Sequence, residues 1–452
     1  MMDLSGRKVL VIGLGKTGIE TVRFLSARGS KIEMTDEKPA AELAPALRAL
    51  GELREPPQMR PYGEKGLDGI DLVIPSPGVP PSNPLLREAV AKRVPVLSEL
   101  EVAFRFLRVP VIAITGTNGK TTTTTLIGKI LSASGLRVFV GGNIGNPLIG
   151  YAAGAQEDDY AVVEVSSFQL QWIETFKPRI AVLLNITRDH VDYHGTFEEY
   201  RKAKERIFEN QGAGDLAILN ADDPASVLIA TKIRARVKYF SSTLRSFDGI
   251  YMNHECLISR ERNGAEERFP LRMIRIPGRH NIENVMASVL TARQCGCAAA
   301  DIVSAVSDFA GVSHRIEFAG EKRGIAFYDD SKGTNVGAVV RAVESFSKPV
   351  ILLLGGRDKG GDFEILSPLI HRHVKELVLF GEARDRIRAV IGGLVRTRTS
   401  STLKEAVETA YRDASPGDII LLSPGCASFD EFANYAERGN FFKETVERLS
   451  DV

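Results

Sequence analysis

The residues best placed for chemistry in this sequence are a lysine and a threonine at the expected start of a helix. Thr115-Gly116-Thr117-Asn118-Gly119-Lys120-Thr121 follows the apolar run VIAIT at 111–115 and precedes a helical stretch expected over 122–130. Backbone N–H groups of such a loop, with the helix N-terminus behind them, cradle phosphate oxygens. Lys120 would neutralise β- and γ-phosphates, and the Thr121 hydroxyl would hold Mg²⁺. The spacing departs from the standard phosphate loop, because Ile114 stands where its first glycine belongs. A plain Asn-Gly turn explains the glycines but leaves the Lys-Thr pair without a reason.

A second anion loop lies near the N-terminus. Gly13-Leu14-Gly15-Lys16-Thr17-Gly18 follows the run KVLVI, and Asp36 ends the next apolar run. Taken alone, this reads as a dinucleotide fingerprint with Asp36 on a ribose hydroxyl. Any diphosphate suits such a loop, so the pattern does not specify a nicotinamide. Ser76-Pro77-Gly78 follows a further run at 72–75; a plain turn accounts for it, and it also falls where it would line the same crevice.

Two further groups sit at strand ends, where ligands bind in open parallel sheets. Glu164 lies on the run VVEVS at 162–166, and His190 closes Asn185-Ile186-Thr187-Arg188-Asp189-His190. A carboxylate and an imidazole there would hold a second divalent ion, although a lone His or Glu is more often structural. On the helix expected over 197–209, the apolar positions are Phe197, Tyr200, Ile207 and Phe208. At 100° per residue Lys204 falls within that stripe and Lys202 points away from it. The residues alone favour a snorkelling lysine at 204.

The last third of the chain holds three polar loops after apolar runs. They are Asp329-Asp330-Ser331-Lys332-Gly333-Thr334-Asn335, Gly355-Gly356-Arg357-Asp358-Lys359-Gly360 and Ser423-Pro424-Gly425-Cys426-Ala427-Ser428-Phe429-Asp430. Their lysines and hydroxyls suit an anionic, carboxylate-rich ligand, and all three should lie along one sheet edge.

The elements that position these groups are short apolar strands alternating with helices. That pattern predicts an α/β protein with parallel sheets buried on both faces. The series starts afresh near Lys8, Val111 and Ile325. We therefore expect three domains: a Rossmann-like domain over 1–98, a central P-loop-type ATPase domain with a mostly parallel sheet over 99–310, and a Rossmann-like domain over 311–452. A length of 452 residues fits three domains. Residues 250–276 read as a β insertion. Lysine plus arginine (58) nearly equals aspartate plus glutamate (57), so no overall field favours nucleic acid or a membrane surface. Apolar runs are strand-sized, which predicts no membrane insertion. The four cysteines show neither disulfide nor zinc spacing, and no secretory signal is recognisable. A cytoplasmic location and a monomer are expected.

In this order the motifs resemble those of the Mur ligase superfamily of ATP-dependent amide ligases, over nearly the whole chain. TGTNGKT marks the superfamily, which includes folylpolyglutamate synthase. DDSKGTN at 329–335 and SPGCASFDEF at 423–432 are similar to the branch that adds D-glutamate; SSFQL at 166–170 and GGNIG at 141–145 agree. The resemblance implies that Gly15, Lys16, Thr17, Asp36, Glu37, Lys38 and Gly78 bind uridine diphosphate rather than NAD. It implies that Asn143 and Gln169 contact the muramoyl part of UDP-N-acetylmuramoyl-L-alanine. Gly116, Thr117, Asn118, Gly119, Lys120, Thr121 and Thr122 would bind ATP, with Asn281, Asn284, Arg315 and Asp330 completing that site. Two Mg²⁺ ions would be held by Thr121, Glu164, His190 and Lys204, the last as a carbamate formed with CO₂. Lys120, Glu164, His190 and Lys204 would be catalytic. Lys332, Thr334, Lys359, Ser428, Phe429 and Tyr435 would bind D-glutamate. A folate-type ligase, an NAD dehydrogenase and a non-catalytic nucleotide-binding regulator are the competing readings, separated by acceptor binding, nicotinamide binding and ADP release respectively.

Overall fold

Runs such as KVLVI carry no polar–apolar alternation because both of their faces are covered. The computed structural model describes residues 2–450 except 52, 54, 65, 245, 246 and 359. By packing, the chain falls into two units, Met1–Met273 with Glu283–Val306, and Ile274–Ile282 with Ser307–Val452. The helix Arg279–Gln294 thus begins with residues of the second unit and continues into the first.

The first unit contains two sheets. In the smaller, strands Gln58–Met59, Lys31–Thr35, Lys8–Ile12 and Leu72–Pro75 lie side by side in that order, all parallel. Val9 and Val11 pack with Ile19, Val22 and Leu25 of the helix Lys16–Ala27. Leu10 and Ile12 point to the other face and pack on Leu85, Leu86 and Ala89 of the helix Pro84–Lys92. Each fully buried aliphatic side chain contributes about 1.5–3 kcal/mol. Gly18, in the first turn of the helix Lys16–Ala27, lets that helix close on the strand. A Cβ there would lie 1.9 Å from the Gly13 carbonyl oxygen.

In the larger sheet the strands Val138–Gly142, Tyr160–Glu164, Val111–Thr115, Ile180–Leu183, Leu216–Asn220, Arg236–Ser241 and Gly249–Met252 run parallel. Cys256–Arg260 and Glu266–Pro270 extend it as an antiparallel edge, which is the inserted β segment. The phosphate-loop strand lies in the middle, between Tyr160–Glu164 and Ile180–Leu183.

The second unit has one sheet, ordered Glu317–Lys322, Ile325–Asp329, Ile419–Gly425, Val350–Gly355, Val374–Phe380 and Arg396–Thr399. Only the first pair is antiparallel among the described residues. Val350, Leu352 and Leu354 pack on one face, and Ile351 and Leu353 on the other. The architecture is α/β with mostly parallel sheets, as the sequence predicts.

Candidate active site

The loop 116–119 joins the strand Val111–Thr115 to the helix Lys120–Ala133. Two glycines make its path: Gly116 has φ +153° and Gly119 φ +86°, conformations that a side chain strains. A Cβ at Gly119 would also lie 2.2 Å from the Asn284 Oδ1. Asn118 is tied down by Asn185, whose Oδ1 accepts from its backbone N–H at 3.0 Å while Nδ2 donates to its carbonyl at 3.2 Å. The helix carries no acidic residue in its first turn, so its amide end remains favourable to an anion.

Around this loop the sequence-predicted residues converge. Lys120 Nζ donates to the carbonyls of Gly116 and Thr117 at 2.9 and 3.0 Å. The Thr121 hydroxyl donates to Glu164 Oε2 at 2.8 Å, and Asn143 Nδ2 donates to Glu164 Oε1 at 2.8 Å. Glu164 is buried at the end of its strand. Thr122 is buried as well, and the Asn284 Oδ1 accepts from Thr123 Oγ1 at 3.4 Å.

Lys204 is 1% exposed, whereas Lys202 faces solvent. Tyr200, Ile207 and Phe208 of the apolar stripe are buried; Phe197, the first residue of the helix Phe197–Glu205, stays 38% exposed. Lys204 Nζ donates to the Gly116 carbonyl at 2.9 Å and lies 4.8 Å from the Tyr200 ring centre. Burial, reinforced by the Lys120 charge, holds its ammonium well below the usual lysine range, against the pull of Asp189 and Glu164. A neutral amine is the form that reacts with CO₂.

His190 has φ +50° and starts the short helix Val191–His194. Its ring packs edge-on to Phe168 at 4.8 Å, and Nε2 lies 3.7 Å from Asp189. Phe168 also packs on Tyr193, whose hydroxyl donates to the Val79 carbonyl at 2.9 Å. That bond joins the two sheets of the first unit and was not foreseen from the sequence; a Tyr in a short polar segment gives no local signal of it.

The glycine-rich loop of the smaller sheet borders a cavity of about 490 Å³. Gly15, Lys16, Thr17, Asp36, Glu37, Lys38, Gly78 and Asn143 all line it. Asp36 braces its wall, accepting from the backbone N–H of Leu14 at 2.6 Å and of Lys38 at 2.9 Å. Lys16 Nζ reaches the Gly145 carbonyl at 2.6 Å. The helix Lys16–Ala27 also has no acid in its first turn. Gln169 does not line this cavity. It is buried in a capping box with Ser166, and its Nε2 points to Glu99 at 3.4 Å.

In the second unit three loops leave the C-terminal ends of neighbouring strands, Ile325–Asp329, Ile419–Gly425 and Val350–Gly355. Asp330 is buried and accepts from Ser423 Oγ at 2.7 Å. Burial pushes its carboxyl up to about 7, against the opposing effects of the Ser423 hydroxyl and the Arg315 charge. Lys332 Nζ lies 5.1 Å from the Tyr435 ring centre, Thr334 is half-buried, Ser428 is buried and Phe429 is exposed. Arg357 pairs with Glu382, and Asp358 with Arg386. Lys359 lies outside the described residues. Asn281 belongs to this unit, where its Nδ2 donates to the Pro277 carbonyl at 2.6 Å.

The sequence does not announce Arg438, which is 1% exposed. Its guanidinium donates to Ser331 Oγ and O at 2.9 and 2.8 Å and to the Cys426 carbonyl at 3.2 Å, tying two of the three loops together. Burial lowers its pKa to about 10.

Comparison with known proteins agrees with this layout. The Mur ligase MurD-like N-terminal domain matches residues 7–98, the Mur ligase middle domain 114–292, and the Mur ligase glutamate ligase domain 314–426. The UDP-N-acetylmuramoylalanine–D-glutamate ligase of Syntrophus aciditrophicus (strain SB) is 56% identical over 446 residues, covering 98% of each chain. The ligase of the same name from Geotalea uraniireducens (strain Rf4) is 46% identical over 450 residues, covering 100% of this chain and 99% of its own. The fold is similar to that of the UDP-N-acetylmuramate–alanine ligase MurC from Thermotoga maritima. That likeness has TM-score 0.59 and 19% identity, and covers 97% of this chain and 99% of that one. MurF from Acinetobacter baumannii gives TM-score 0.60 at 18% identity, with 97% and 91% covered. The chain belongs to the Mur ligases, in the family of UDP-N-acetylmuramoylalanine–D-glutamate ligases.

Proposed function

We propose that the chain joins D-glutamate to UDP-N-acetylmuramoyl-L-alanine, cleaving ATP to ADP and phosphate, in peptidoglycan precursor synthesis. The observation that carries this reading is the line Thr121–Glu164–Asn143, which links the phosphate loop to the wall of the cavity beside the second anion loop. An ATP-dependent ligase needs that adjacency, because the acceptor carboxylate must reach the γ-phosphate.

In the first step an oxygen of the alanyl carboxylate attacks the γ-phosphorus and ADP leaves, giving an acyl phosphate. The D-glutamate amine then attacks the acyl carbon, the C–O bond to phosphate breaks, and the amine proton passes to a base other than the metal-holding His190. Lys120 and the loop N–H groups hold the phosphates in line. Exclusion of water from the site would protect the acyl phosphate.

The donors here fit divalent magnesium: the Thr121 hydroxyl and the Glu164 carboxylate are hard oxygen ligands already in contact. Bound magnesium supplies charge neutralisation on the phosphoryl oxygens. We assign two ions to Thr121, Glu164, His190 and Lys204, the last carrying an anionic carbamate. Its burial and depressed pKa support the carbamate, since a bare ammonium would repel the metal.

Within the second unit we assign Lys332, Thr334, Lys359, Ser428, Phe429 and Tyr435 to D-glutamate, and Asn281, Arg315 and Asp330 to ATP. We retain domains at 1–98, 99–310 and 311–452. Among the described residues no helix is long and apolar enough to cross a membrane, and all four cysteines are free. We propose a cytoplasmic location and a monomeric state.

The test is ADP release with ATP, Mg²⁺ and UDP-N-acetylmuramoyl-L-alanine, comparing D-glutamate with L-glutamate and other amino acids. Release that requires D-glutamate, with the amide product found by mass, is the expected result. No release with any amino acid rejects the assignment.

A further inference from the structure

We propose that Tyr62 is the platform on which the pyrimidine base of the acceptor stacks, and so a determinant of nucleotide recognition; this rests on the ligase reading above. The argument is one of polarity along a single cavity. Asn143 lines the cavity and also donates to Glu164, which in turn accepts from Thr121 of the phosphate loop. The reacting carboxylate of the acceptor therefore belongs at the Asn143 end.

From there the strand order places the rest of the acceptor. The loop 13–17, with the amide end of the helix Lys16–Ala27, lies at the end of the strand Lys8–Ile12 and suits the diphosphate. Asp36 and Lys38 come after the neighbouring strand Lys31–Thr35. One strand further out, Gln58–Met59 pairs with Lys31–Thr35 and delivers Tyr62 three residues past its end. The base is the part of the acceptor furthest from the carboxylate, so it falls at this outer edge.

The surroundings there fit a flat ring. Tyr62 is 53% exposed yet lines the cavity, and Leu43 and Ala46 of the helix Ala40–Leu50 line it too. A single exposed aromatic is ordinary on a protein surface. One that borders a nucleotide-sized cavity, beside Leu43 and Ala46 with Glu42 of the same helix, has a π-surface available for a base, and base–aromatic stacking requires no hydrogen-bond match.

The experiment compares wild type, Tyr62→Ala and Tyr62→Phe in the full chain. Tyr62→Ala should raise the KM for UDP-N-acetylmuramoyl-L-alanine by about tenfold or more, the range that losing one such stack gives. The KM values for ATP and D-glutamate and the kcat should stay unchanged, and Tyr62→Phe should behave as wild type. Inhibition by UMP should weaken in Tyr62→Ala by the same factor as the acceptor KM. An N-acetylmuramoyl-L-alanine acceptor without the nucleotide should be used equally by wild type and Tyr62→Ala. An unchanged acceptor KM in Tyr62→Ala, or an equal loss with the nucleotide-free acceptor, overturns the proposal while leaving the ligase reading intact. Wild-type protein that forms no product from the UDP-linked acceptor overturns both.

Discussion

The Thr121 hydroxyl donates to Glu164 across the ends of two neighbouring parallel strands, at 2.8 Å. This contact brings a phosphate-loop side chain and a carboxylate 43 residues away into one ligand set. Glu164→Gln keeps the size of the side chain and an oxygen to accept from Thr121, but removes the charge. We expect kcat to fall by about 100-fold or more, the scale on which loss of one preorganised electrostatic group acts. Acceptor binding measured by calorimetry without nucleotide should change little. A kcat within a few-fold of wild type would remove Glu164 from the metal site.

Lys204 offers a sharper test, because its proposed role depends on a group it does not carry when synthesised. Lys204→Ala should nearly abolish turnover, and short carboxylic acids added to the assay should restore part of it by supplying the missing anionic oxygen. Normal activity in Lys204→Ala would sink the carbamate proposal.

How much was legible in the sequence depends on the range of the interactions. The phosphate loop is local: its glycines, lysine and threonine are adjacent, and its place between strand and helix can be read directly. Helical periodicity puts Lys204 on the inward face with Tyr200 and Ile207. The snorkelling side chain that the residues alone favour is not what the structure has: the Gly116 carbonyl accepts from Nζ inside the protein, so the amino group is buried too. Phe197 stays exposed because it occupies the first helical position. Tyr62 was not readable, since it comes after a two-residue strand in a segment without periodicity. Arg438 and Glu99 were missed for another reason. Ser331 lies 107 residues from Arg438, and Ile149 and Gln169 lie 50 and 70 residues from Glu99. Cys426, 12 residues before Arg438, is reached only because the chain turns back from the strand Ile419–Gly425 into the helix Tyr435–Arg448. Likewise, nothing in the helical pattern over 279–294 reveals that its first residues pack with the second unit.

Gly18→Ala tests whether close approach of helix and strand builds the acceptor cavity. The new methyl would sit 1.9 Å from the Gly13 carbonyl oxygen, a backbone atom that yields only if the loop 13–17 shifts. Overpacking of this kind costs about 1–3 kcal/mol. We expect a lower melting temperature and weaker acceptor binding, with nucleotide binding to the other loop retained. Unaltered acceptor affinity in a calorimetric titration would show that the loop tolerates the shift.

Glu99 makes the stability of the first unit depend on pH in a stated direction. The carboxyl is 1% exposed; Oε1 accepts from the Ile149 N–H at 2.8 Å, and Oε2 from Gln169 at 3.4 Å. Burial nevertheless pushes its pKa from 4.5 up to about 7, the hydrogen bonds opposing but not cancelling the shift. The folded state thus holds this proton more tightly than the unfolded chain. Between pH 4.5 and about 7 the unfolded chain binds fewer protons, so this residue's contribution to stability falls as pH rises and is fully lost above that window. Glu99→Gln keeps an oxygen for the Ile149 N–H and removes the titration. Measured by urea unfolding, its stability relative to wild type should rise by as much as about 3 kcal/mol between pH 5 and pH 8. A difference between variant and wild type that is the same at both pH values would mean that Glu99 ionises normally despite its burial.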